Sequence, residues 1–98
     1  MYKLDFTQVN KTALSNAYPI LQRWLPSGKL KGAEYKALNP TRHDHKEGSF
    51  SVNIHNGKWA DFATGDTGNG FISLTEYLFK IPTYEAAKKL ASMLGMGV

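Results

Sequence analysis

Residues 48–70, GSFSVNIHNGKWADFATGDTGNG, constrain this chain most. Phe50, Val52 and Ile54 alternate with Ser49, Ser51 and Asn53, the period of a half-buried strand. Asn56-Gly57 follows, and both residues tolerate the positive φ of a two-residue type I′ turn. Lys58 to Phe62 then returns as the second strand. With Asn56 and Gly57 as the loop, Ile54 faces Trp59 and Val52 faces Asp61. That register puts a carboxylate on the apolar face of the hairpin. A buried, unpaired carboxylate is costly. Either a β-bulge turns Asp61 outward, or backbone N–H groups or a cation satisfy it.

The chain has 98 residues and no cysteine. Its length fits one domain, residues 1–98, with a core that needs no staples. Disulfides and thiolate zinc sites are excluded, and a reducing compartment, the cytoplasm, is the simplest setting. No apolar run approaches the roughly 20 residues of a membrane span, and MYKLDFTQVNK lacks a signal-peptide core. The net charge is +4. All of it resides in residues 23–58, where Arg23, Lys29, Lys31, Lys36, Arg42, Lys46 and Lys58 face only Glu34, Asp44 and Glu47. A local basic surface suits a polyanion, and nucleic acid is the common intracellular one; a solvated lysine face is the plainer reading.

Residues 7–25 form an N-terminal helical region with Thr7 or Asn10 as N-cap and an apolar stripe of Leu14, Ala17, Leu21 and Trp24. Pro19 interrupts it, giving either two short helices meeting near Tyr18 or one kinked helix. Lys29 to Gly32 reads as a basic turn, and Glu34 to Leu38 as the first strand of a sheet over residues 34–63. Residues 65–70, GDTGNG, are too glycine-rich for regular structure. C-terminal helices over 71–95 follow. The first is Phe71–Phe79; the second is capped by Thr83 and ends at Gly95. The strands lie too close together for helical crossovers, so the sheet is antiparallel and the class α+β, a small sheet flanked by N- and C-terminal helices.

Several chemistries fit poorly. Gly65, Gly68 and Gly70 sit where phosphate loops occur, but neither GxxxxGK[ST] nor GxGxxG is present. His43, Asp44 and His45, with His55, Asp61 or Asp66, lack a second cluster at zinc-like spacing. Ser49, Ser51 and Ser73 stand in no nucleophile elbow. The sequence therefore implies no catalytic residues, metal or cofactor. The best combination is cations beside aromatics: Arg42 and Lys46 before the hairpin, Lys58 and Trp59 on it, Tyr35 and Lys36 on the neighbouring strand. Cations bind phosphates and aromatic faces stack unpaired bases. Trp59 and Phe62 point to opposite faces, so at least one belongs to the core.

The stretches LPSGKLKGAEYKALNPTR, GSFSVN, GKWADFATGDTGNGFISL and AAKKLASMLG have a familiar pattern. From Trp24 to Gly95 the chain resembles the N-terminal zinc-ribbon domain of primases, most closely a cysteine-free branch in phage and plasmid primases or primase-helicases. Asn39, Arg42, Asp61 and Thr64 stand at that family's four metal positions. None is a thiolate. An Arg42–Asp61 ion pair with hydrogen bonds could replace the zinc.

The resemblance implies a module that engages single-stranded DNA template during priming, without being an enzyme on its own. Lys29, Lys31, Lys36, Arg42, Lys46 and Lys58 would contact phosphates, and Tyr35 or Trp59 would stack a base. The alternative is a module that docks onto a primase, helicase or polymerase through its apolar C-terminal helices.

Overall fold

The structure, a computed structural model, describes residues 4–41 and 49–96. Two short helices, α1 (Phe6–Ser15) and α2 (Ala17–Trp24), open the chain. Asp5, rather than Thr7 or Asn10, caps α1: its Oδ1 accepts from the Gln8 N–H at 3.1 Å. The helices part at Asn16, which puts Pro19 in the first turn of α2, where its missing N–H costs nothing. Asn10 caps a different helix. Its Oδ1 accepts the Ile72 N–H at 2.9 Å and so ties α1 to the start of α3 (Phe71–Phe79).

Five strands form an antiparallel meander: β1 (Lys29–Lys31), β2 (Glu34–Ala37), β3 (Phe50–Asn53), β4 (Lys58–Asp61) and β5 (Thr67–Asn69). The fold is α+β, as the sequence implies. Two strands correct the sequence reading. Lys29–Lys31 is an edge strand paired with β2 and not a turn. The glycine-rich Thr67–Asn69 pairs with β4, Gly68 opposite Trp59.

The central hairpin also differs. Its loop is Ile54–Gly57, and Val52, not Ile54, faces Trp59. Asn53 produces the longer turn. Its Oδ1 accepts the N–H groups of His55 (2.8 Å) and Asn56 (3.1 Å), and its carbonyl accepts the Gly57 N–H at 2.9 Å. Gly57 has φ +77, while Asn56 keeps a negative φ, so no type I′ turn forms. The register slides by two residues. A slide of two preserves facing, so Asp61 still points to the core, now opposite Phe50.

The helices cover one face of the sheet. Tyr35, Ala37, Phe50, Val52 and Trp59 from that face join Val9, Leu21, Leu74 and Leu90 in one hydrophobic core. The last helix, α4 (Thr83–Met93), takes Pro82 as N-cap. The Thr83 hydroxyl instead donates to Glu76 at 2.8 Å. Gly95 ends α4 as expected, with Met96 N–H bonded to the Ala91 carbonyl and Gly95 N–H to that of Ser92, a Schellman motif.

Candidate nucleic-acid interface

Asp61 is 0 % exposed on the core face. Its Oδ2 accepts from the Asn39 side-chain amide at 2.7 Å, and its Oδ1 from the Ala63 N–H at 2.8 Å. Asn39 is equally buried. Its amide also donates to the Tyr77 hydroxyl at 2.9 Å, and its Oδ1 accepts both the N–H (2.9 Å) and the hydroxyl (2.7 Å) of Thr41. Tyr77 passes the chain on, donating to Asp66 Oδ2 at 2.8 Å. The Asp66 carbonyl in turn accepts the Asp61 N–H. A polar ring thus closes the 61–66 loop onto α3, with the Tyr77 ring 4.7 Å from Trp59 and 6.0 Å from Phe50. Thr64 stands outside the ring; its hydroxyl accepts the Asp66 N–H at 3.2 Å. Arg42, Lys46 and the His43-Asp44-His45 cluster lie outside the described residues.

Among the described residues the opposite sheet face carries no helix. Its register lays out two polar rows. One runs Lys29, Lys36, Ser51, Ala60, Thr67 across all five strands. Beside it Lys31 pairs with Glu34, Glu34 with Asn53, and Lys58 with Asn69. Lys29 lies directly opposite Lys36, a like-charge pair that destabilises a bare sheet. Glu34 is the acidic member. It is turned inward along the sheet by Ser51 Oγ (2.5 Å) and Asn53 Nδ2 (2.7 Å). Past the end of β4, Phe62 presents its ring at 72 % exposure. A depression of 270 Å³ lies among Lys58, Ala60, Phe62, Asn53 and Ser51.

No protein-family model and no curated protein matches the chain. A solved structure does: the Aquifex aeolicus primase, zinc-binding and RNA polymerase domains, superposes with a TM-score of 0.75 at 21 % identity over 96 % of this chain. The fold is primase-like. The chain spans 22 % of that protein's length.

Asn39 and Asp61, which the resemblance sets at metal positions, do not fit zinc as they are bonded here. Asn39 turns its N–H groups toward Asp61 and commits its oxygen to Thr41, which leaves no amide lone pair for a cation. Among the described residues no three His, Cys, Asp or Glu side chains converge as a metal cluster would require. The resemblance sets Asn39 and Asp61 at metal positions with Arg42 as the expected partner of Asp61; the bond that the structure describes is from Asn39, and Arg42 lies outside the described residues. Sequence reasoning misses Tyr77, whose spacing in α3 marks an ordinary core helix.

The expected stacking residues need correction. Tyr35 is 1 % exposed, its hydroxyl donating to the Leu25 carbonyl at 2.6 Å, and Trp59 is 4 % exposed. Both lie on the core face of their strands, so neither ring has a face open to a base. The opposite facing of Trp59 and Phe62 holds, with Trp59 in the core and Phe62 in solvent. Among the described residues no helix is long and apolar enough to cross a membrane.

Proposed function

We propose that this chain is a single-stranded DNA-binding module that acts in replication priming of a phage, plasmid or other mobile element, as an accessory domain or subunit of a primase. The observation that carries the reading is the open sheet face, where Lys29, Lys31 and Lys36 stand on adjoining positions of β1 and β2 and Lys58 stands on β4, two strands further along the same face. A phosphate between Lys29 and Lys36 would turn their mutual repulsion into a shared attraction. Phe62 takes the stacking role that Tyr35 and Trp59 cannot fill. The primase-like fold supplies the context of priming. A primase, helicase or polymerase chain or domain would supply the chemistry, while the lysine face supplies charge and a ring.

Titration of labelled single-stranded DNA at several salt concentrations tests the proposal. Each phosphate neutralised on a single strand contributes about −0.7 to the slope of log K against log salt, so three or four contacts give about −2 to −3. Lys36→Ala and Lys58→Ala each lower the slope by about one contact's worth. Phe62→Ala weakens binding without changing the slope. Lys88→Ala, on exposed α4, removes the same charge away from the sheet and leaves binding close to wild type. Equal losses for all three lysine variants would make the attraction diffuse net charge and sink the site. No binding in low salt would sink the function.

A further inference from the structure

The helical side carries a second recess, and we infer that the groove between α2 and the α3–α4 pair docks an acidic peptide segment bearing a bulky apolar side chain. Two cavities form the groove, of 190 and 500 Å³, and both are lined by Arg23 and Met93, so they run into one another. Ile20, Met93 and Leu94 give one end an aliphatic and thioether floor. Trp24 and Phe79 wall the other end, edge to face with centroids 5.1 Å apart. Phe79 stays 39 % exposed although it sits in a small protein with few apolar residues to spare. Arg23 and Lys89 stand on the rims, and none of the described residues lining either cavity is acidic.

The chemistry selects the occupant. Two cations flanking an apolar trough complement a segment with carboxylates on either side of one large apolar side chain. Methionine adapts to the shape of such an anchor. Nucleic acid suits the groove less well. The Trp24 and Phe79 rings meet edge to face, and the Lys89 ammonium sits 4.5 Å from the Phe79 centroid. The ring face that a base would need is therefore already covered by a cation. A second copy of this chain suits it less well too, because a surplus of positive charge on both partners opposes their approach. The inference stands apart from DNA binding, which uses the other side of the sheet.

The test uses a fluorescein-labelled peptide, Glu-Asp-Leu-Glu-Asp-Phe-Glu-Asp, followed by anisotropy against the whole chain. A control peptide carries Ser for Leu and Phe. The first peptide binds and the control binds at least about tenfold more weakly, the loss of a buried anchor. Arg23→Glu combined with Lys89→Glu weakens the first peptide by about tenfold or more, since like charge then faces its carboxylates. Both positions are exposed, so the variant keeps its circular dichroism and unfolding midpoint. Lys31→Glu combined with Lys58→Glu makes the same charge change on the sheet face and leaves peptide binding within about twofold at physiological salt. Absence of binding overturns the inference, as does equal binding of the two peptides or equal loss in the two double variants. Displacement of the peptide by oligothymidine, with DNA binding lost in the Arg23/Lys89 variant, would overturn it too and make the groove a nucleic-acid site.

Discussion

Asp61 shows how far one residue can be read from its neighbours. Strand alternation alone puts it on the core face, and even a hairpin register two residues off gives the same facing. What satisfies the carboxylate is only half legible. Asn39 stands at an aligned position, but Tyr77 is 38 residues further on and its hydroxyl leaves no periodic trace. Asp61→Asn keeps one acceptor oxygen and turns an NH2 group toward either the Asn39 amide or the Ala63 N–H, donor against donor. It should lower stability by about 3 kcal/mol in urea unfolding, the size expected when a buried charged hydrogen bond is broken. Tyr77→Phe keeps the ring stack and removes two links, the bond from Asn39 and the bond to Asp66, so about 1–2 kcal/mol is expected. Wild-type midpoints in both variants would show that the ring of hydrogen bonds holds nothing. Tyr35 sets a pH limit. Burial raises its pKa above the ordinary 10.0, and the neighbouring Tyr18 raises it further. The folded state therefore holds this proton more tightly than the unfolded chain. The resulting stability is complete below about pH 10 and is lost as pH rises through the folded pKa. The fall in unfolding free energy above about pH 10 should be shallower in Tyr35→Phe than in wild type. Equal slopes would rule the phenol out as the cause.

At the scale of elements, the sequence pattern delivers the helices and the central strands because burial imposes their periods. Leu21 and Leu74, and Leu90 with Ala86 and Ala87, all fall in the core. The two edge strands escape such a reading. β1 is exposed along its length, and β5 is too polar and glycine-rich to alternate. β5 exists because Gly68 lets the backbone pass close over the Trp59 indole. A Cβ there would lie 2.2 Å from Ser73 Oγ and 2.5 Å from Trp59 Nε1. The indole is part of a packed ring cluster and cannot retreat. Gly68→Ala should therefore cost about 1–3 kcal/mol, the range for overpacking, while Asn69→Ala on the exposed face of the same strand should stay within about 0.5 kcal/mol. If the two variants unfold together, β5 is not held against Trp59. Among the described residues the Trp59 Nε1 also meets no hydrogen-bond partner. Its retention fits a ring kept for bulk, between Phe50 and Tyr77, more than for its polar edge.

Across the whole molecule, a fold shared with a zinc-binding primase domain raises the question of what replaces the metal. A ribbon zinc ties two loops together where a small hairpin cannot bury enough surface. In this chain the loops that carry Asn39 and Asp61 meet through a side-chain hydrogen bond, and a hydrophobic layer covers one face of the sheet. Phe50, Trp59 and Tyr77 stack directly beneath the polar ring, and residues from all four helices join the core around them. Side-chain packing and hydrogen bonds thus hold the two loops together. A metal that binds the native state more tightly than the unfolded chain adds to stability in proportion to the logarithm of its concentration over its Kd. With the Asn39 oxygen committed and no thiolate present, that term should vanish. Thermal unfolding followed by circular dichroism should give the same midpoint in chelator, in plain buffer and in added zinc. A midpoint several degrees lower in chelator would mean that a cation holds the two loops together, and that the Asn39–Asp61 bond is secondary to it.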